Sequence, residues 1–392
     1  MSALKFSSRL RWDLAPNQFS RLLEEKRSAG APLLDLTESN PTAAQIAYPS
    51  EGILAALADP RALRYEPVAA GMPSARAAVS EYYSSALSAD VNPDRILLTA
   101  STSEAYAFVF KLLADPGDEV LVPRPSYPLF DYLAALDSVR VVQYPLAYHG
   151  SWTIDFDELA RAITPRSRAI VLVNPNNPTG SFLKQSEAAP LVELCREHGL
   201  ALISDEVFAD YLIDPQAQVV RSLTGLDEVL TFCLSGLSKV AALPQMKLGW
   251  IAIGGPKRDR ELAFERLELI ADTYLSVAAP VQWAASTLLG LRGELQGQIL
   301  GRVRANHAFI ASQIGPDSPW KLLSTEGGWY GVLEAPRISS EEEWVLQLLR
   351  RDNVVVQPGF FFDFEREAFL VLSLLTPEST FREGVSRILV QA

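Results

Sequence analysis

Between residues 95 and 255 the chain alternates short apolar runs with stretches whose apolar residues recur at helical spacing. Runs at 95–99 (RILLT), 119–123 (EVLVP), 139–144 (VRVVQY), 169–174 (AIVLVN), 200–205 (LALISD), 229–235 (VLTFCLS) and 249–254 (GWIAIG) predict strands. Several are apolar throughout. A strand without a polar face is covered on both sides, as in a mostly parallel sheet between helical layers. Helical periods fall between them at 104–113, 155–162 and 187–197. Alternation of this kind predicts an α/β domain.

The rhythm changes after about residue 290. A long helix is predicted over 294–314, then strands near 329–334, 354–357 and 369–374, with a helix over 341–350. We therefore expect a large domain over 45–290 and a smaller α+β domain built from 1–44 plus 291–392. A helix over 19–27 would complete the smaller one. No repeat or low-complexity linker separates them, so the two should pack together.

Composition narrows the classes. The 392 residues are 48% hydrophobic and 21% charged, ordinary values for a globular chain. A net charge of -12 argues against nucleic acid or an anionic membrane as partner, because phosphates call for Lys and Arg clusters. Cys195 and Cys233 are too few for a disulfide framework, and three scattered histidines give no metal-ligand spacing. The opening MSALKFSSRLRWDL lacks a signal-peptide apolar stretch, and 275–291 is too short and polar for a membrane span. A cytoplasmic protein with no membrane partner is the expectation.

The candidate chemistry sits just past strand ends, where ligands collect in open α/β sheets. AIVLVN runs into Asn174-Pro175-Asn176-Asn177-Pro178-Thr179-Gly180, LALIS into Asp205-Glu206, and LTFCLS into Gly236-Leu237-Ser238-Lys239. Taken singly, NPTG reads as a Pro/Gly turn, Asp205 as a helix N-cap and Lys239 as a surface lysine. Their order, together with Tyr65-Glu66-Pro67, Gly71-Met72-Pro73, Arg76, the segment 99–105 and Pro125-Ser126-Tyr127-Pro128, resembles the class I/II aminotransferases, enzymes of pyridoxal-phosphate (PLP) fold type I.

That resemblance implies roles. Lys239 would carry the cofactor as a Schiff base and shuttle protons. Asp205 would pair with the pyridinium nitrogen, Asn177 would donate to the phenolic oxygen, and Tyr127 would stack on the ring. Backbone N–H groups of Ser101, Thr102 and Ser103 at a helix start would cradle the phosphate, with the Ser238 hydroxyl. Tyr65 would reach the phosphate from a neighbouring subunit, which implies a homodimer. The expected reaction moves an amino group from an amino acid or amine to a 2-oxo acid.

The departures from the family pattern point at the substrate. Phe208 stands where the family has a tyrosine that also donates to the phenolic oxygen, which should raise the pKa of the cofactor imine. Lys247 stands where an arginine grips the phosphate, and Gly236 where a hydroxyl residue is usual. Ser39 replaces a glycine on the substrate side. Val371 occupies the position of the arginine that clamps the substrate α-carboxylate. A charge-assisted hydrogen bond contributes roughly 1.5–3 kcal/mol, so losing the clamp should weaken an ordinary amino acid ~10-fold or more. Arg11 and Arg366 are candidate substitutes. A PLP lyase of the β-elimination type is the alternative reaction, and a non-catalytic, DNA-regulating relative is disfavoured by the acidity.

Overall fold

The structure is a computed structural model, and the residues described are 4–10, 12 and 15–391. Eight strands form the main sheet: β1 (Ile96–Thr99), β2 (Glu119–Arg124), β3 (Arg140–Tyr148), β4 (Trp152–Ile154), β5 (Ser167–Val173), β6 (Ala201–Asp205), β7 (Thr231–Gly236) and β8 (Gly249–Gly254). Their order across the sheet is β1-β8-β7-β6-β5-β2-β3-β4. The pairings β7–β6, β6–β5, β5–β2 and β2–β3 are parallel. β8 runs antiparallel to both β7 and β1, and β4 antiparallel to β3.

The apolar runs are explained by what lies on each face. Leu98, Leu121, Ile170, Leu172, Leu202 and Trp250 enter one core with the helices Pro73–Leu87, Gln185–His198 and Ala279–Gly290. Their sequence neighbours Leu97, Val120, Val171, Ile203 and Ile251 enter another, with Thr102–Leu113 and Lys257–Tyr274. Successive side chains of a strand point to opposite faces, so a continuously apolar strand serves two cores at once. Burying each such side chain contributes about 1.5–3 kcal/mol.

A second, antiparallel sheet follows: β9 (Lys321–Leu322), β10 (Tyr330–Glu334), β11 (Gln357–Pro358) and β12 (Phe369–Ser373), in the order β9-β10-β12-β11. Leu333, Leu370 and Leu372 pack on the helices Arg292–Gln313 and Glu378–Leu389, with Phe19 from the helix Gln18–Ser28. Phe369 and Val332 point the other way, against Trp152 of the main sheet. The strand expected at 354–357 is two short pieces, Val354–Val355 pairing with Leu34–Asp35 and Gln357–Pro358 pairing with β12. Among the described residues no helix is long and apolar enough to cross a membrane.

Candidate active site

Because β2, β5, β6 and β7 are parallel, and two antiparallel steps return β1 to their direction, five carboxyl ends meet at one edge. The loop 174–177 leaves β5, Asp205 ends β6, and Lys239 sits in the one-turn helix Leu237–Val240 after β7. Ser101 caps the helix Thr102–Leu113 after β1, accepting from Glu104 N–H at 3.2 Å. After β2, the Ser126 hydroxyl donates to Asn176 Oδ1 at 3.0 Å while Asn176 Nδ2 donates to Pro125 O at 2.9 Å. That amide locks the loop carrying Tyr127 to the loop carrying Asn177.

A cavity of about 210 Å³ opens at this edge. Its walls include Ser39, Ser101, Thr102, Ser103, Tyr127, Asn177, Asp205, Phe208, Ser238 and Lys239, ten of the residues singled out in the sequence. Tyr65, Lys247, Arg366 and Val371 do not line it. Tyr65 is 81% exposed and borders a separate hollow with residues 275–279. Lys247 is exposed, with φ 51°, after the turn Pro244–Met246. Arg366 is paired with Glu334 at 3.6 Å and lies over the Phe369 ring, at the end of β10 opposite Tyr330. Four residues of strand put it roughly 13 Å from Tyr330 along β10. Arg11 lies outside the described residues.

The cavity's electrostatics centre on Lys239 and Asp205. Burial lowers the Lys239 amine to about 8, opposed by the negative charge of Asp205. Its Nζ lies 4.6 Å from the Trp329 ring centroid and 5.4 Å from that of Phe208. Burial raises Asp205 to about 6, opposed by the Val207 N–H, the Tyr106 hydroxyl and Lys239. Tyr106 donates to Asp205 Oδ2 at 3.0 Å, and Val207 N–H to Oδ1 at 3.2 Å. The Asn177 amide oxygen is buried without a hydrogen-bond partner.

Two glycines keep the edge tight. A Cβ on Gly236 would sit 2.9 Å from Leu248 O and 3.0 Å from Gly249 Cα, so the family's hydroxyl residue has no room there. A Cβ on Gly249 would sit 3.1 Å from the Ser101 carbonyl carbon. Phe208 packs edge-to-face on Trp329, with centroids 5.2 Å apart. The hydroxyl it lacks is not supplied by Tyr211, whose OH donates to Lys239 O at 2.6 Å.

A model of the family described as "Aminotransferase class I and II" matches residues 30–388. This chain belongs to the class I and II aminotransferases. Glutamate-pyruvate aminotransferase AlaA of Escherichia coli K12 is 32% identical over 301 residues, covering 75% of this chain and 74% of the relative. Alanine aminotransferase of Mycobacterium tuberculosis H37Rv is 28% identical, covering 75% of this chain and 70% of that one. A solved aminotransferase from Escherichia coli superposes with a TM-score of 0.87 at 27% identity, covering 100% of this chain and 99% of its own. A Thermus thermophilus aspartate aminotransferase mutant gives a TM-score of 0.84 at 24% identity, covering 99% and 100%, and shares the fold. The fold is that of PLP fold type I and the chain is a PLP-dependent aminotransferase; the lyase alternative finds no favour among these relatives.

Sequence reasoning missed Tyr106, Trp329 and Tyr330. Tyr106 was within reach: it lies four residues after Thr102, on the same face of a predicted helix. Tyr330 lines the cavity together with Ser39, segments far apart in the chain with no local signal.

Proposed function

We propose that Lys239 is the amine that holds the cofactor and that the cavity around it is the PLP and substrate site. The single observation that carries this reading is a buried lysine, lowered to about 8, beside a buried carboxyl at the sheet's carboxyl edge. The residues fit the cofactor. The start of the helix Thr102–Leu113 offers N–H groups for a phosphate, with Ser238 beside it. Asn177 lines the cavity, where its Nδ2 would donate to the phenolic oxygen, and Gly249 leaves space that a side chain would fill. Bound PLP supplies the electron sink that lets the substrate's α-carbon lose a proton.

The protein's own groups do the rest. Asp205, fixed at one oxygen by Tyr106 and at the other by Val207 N–H, holds a proton at the ring nitrogen. Tyr127 orients the ring by stacking. Lys239, once displaced, moves the proton at the α-carbon, a role suited to an amine lowered toward neutral pH. We further propose a homodimer in which Tyr65 serves the partner's phosphate site, a role for Lys247 at that phosphate only after it swings inward, and a cytoplasmic location. The two-domain division at 44/45 and 290/291 belongs to the same reading.

The names of the relatives suggest L-alanine or L-glutamate as donor and pyruvate or 2-oxoglutarate as acceptor. The test is to load the protein with PLP, add L-alanine, and follow the visible spectrum and pyruvate release. Conversion to the amine form of the cofactor is expected, and Lys239→Ala should cut turnover by ~10³-fold or more. Ammonia release without that conversion would point to the lyase reaction instead.

A further inference from the structure

We propose that the hydroxyls of Tyr330 and Ser39 hold the substrate's carboxylate where the family uses an arginine. The site then takes an amino donor with one carboxylate and an uncharged side chain. This deepens the reading of the Lys239 cavity as the substrate site and rests on it. Val371, at the family's arginine position, pairs with Val332, and the next pair on that face of the ladder is Tyr330 with Ser373. The face changes its surroundings over that step. Val332 packs on Trp152, whereas Tyr330, at the start of β10, lines the cavity. Ser373 Oγ donates to Glu38 O at 2.5 Å, which ties the segment carrying the cavity-lining Ser39 to the same end of the ladder. The Tyr330 ring lies 6.4 Å from that of Phe208, centroid to centroid, and the Phe208 centroid lies 5.4 Å from Lys239 Nζ. Tyr330 is thus one aromatic ring removed from the reacting amine.

Few donors around the cavity are left for a substrate. Among the described residues Lys239 is the one cation in its lining. Ser101, Thr102, Ser103 and Ser238 stand at the proposed phosphate end, and the Tyr106 hydroxyl is engaged by Asp205. Asn177 and Tyr127 serve the cofactor ring on the same reading. Ser39 and Tyr330 remain, and each can give one O–H. Burial raises the Tyr330 phenol, opposed by the Ser39 hydroxyl, so it stays protonated and able to donate at neutral pH. Two hydroxyls can serve the two oxygens of one carboxylate. A second carboxylate, on the side chain, would meet Leu133, Val207 and Phe208 and lose its hydration without gaining a partner.

The test uses the PLP-loaded full-length protein and three probes without an α-hydrogen. They are 2-methylalanine, with one carboxylate, tert-butylamine, in which a methyl replaces it, and 2-methylaspartate, with two. The visible spectrum of the bound cofactor reports each Kd. We expect 2-methylalanine to bind ~10-fold or more tighter than either of the others. Tyr330→Phe should raise its Kd by ~10-fold and leave the Kd for PLP itself unchanged, and Ser39→Ala should do the same to a smaller degree. A merely structural role would move both constants together. If thermal melting shows that Tyr330→Phe does not fold, Ser39→Ala and the parent's ranking of the probes carry the test. Equal or tighter binding of 2-methylaspartate, or a 2-methylalanine Kd indifferent to both substitutions, overturns the proposal and leaves the site reading intact. No spectral response to any probe or to L-alanine overturns the site reading itself, and this proposal with it.

Discussion

The two sides of the cavity differ in how far they keep the family's residue types. The wall from the main sheet keeps the family's residue types at Lys239, Asp205, Asn177 and Tyr127, and it holds them through short, buried contacts: Tyr106 on Asp205, Asn176 between two loops, Tyr211 on the backbone of Lys239. The small sheet and the N-terminal segment depart from the family pattern at Val371 and Ser39. On the proposed reading, one wall would answer to the cofactor, whose shape and charge never vary, and the other to the substrate, which differs from enzyme to enzyme. Fold and reaction class can persist while recognition drifts.

If that contrast is right, changes in the cofactor wall should damage chemistry and changes near the substrate wall should alter preference. The largest effect is expected from Asp205→Asn, which removes the charge that holds a proton on the ring nitrogen; kcat should fall by ~10²–10³-fold. The same substitution removes the charge that raises Lys239. Its amine, already at about 8 through burial, should then titrate at lower pH. The pH dependence of acylation of the cofactor-free protein reads this directly: reactivity should rise through about 8 in the parent, because the neutral amine is the nucleophile, and earlier in the variant. A midpoint above that of the parent would sink the assignment of the pair.

Next in size, Gly236→Ala should destabilise the fold by about 1–3 kcal/mol, because its Cβ would sit 2.9 Å from Leu248 O. Urea unfolding measures this, and an unchanged midpoint would show that the edge can open. The smallest effect is expected at the boundary between the walls. Phe208→Tyr restores a donor beside the phenolic oxygen and should lower the pKa of the visible absorbance change by about one unit or less. A rise instead would mean that the new hydroxyl points toward Trp329 and away from the cofactor.

What could be read from the sequence follows the same divide. The strands of the main sheet were legible because both faces are buried, and the site residues because each lies immediately after such a strand. β4 escaped because three residues at a sheet edge, Trp152–Ile154, leave too little pattern. The substrate wall was legible only as a loss, Val371. The pairing of Val371 with Gln357 and Val332 is a register fixed across strands and invisible to periodicity. Tyr65 and Lys247 were placed by resemblance alone, and within one chain neither borders the cavity.

The bond from Tyr211 to the Lys239 carbonyl has a mechanical side. Tyr211 also packs edge-to-face on Trp329, with centroids 5.0 Å apart, and its own carbonyl accepts from Gly328 N–H at 2.9 Å, just ahead of β10. The lysine is thus moored at its main chain to the segment that leads into the small sheet, while its amine lies between the Trp329 and Phe208 rings. A displacement of that segment would therefore be felt at the main chain of Lys239.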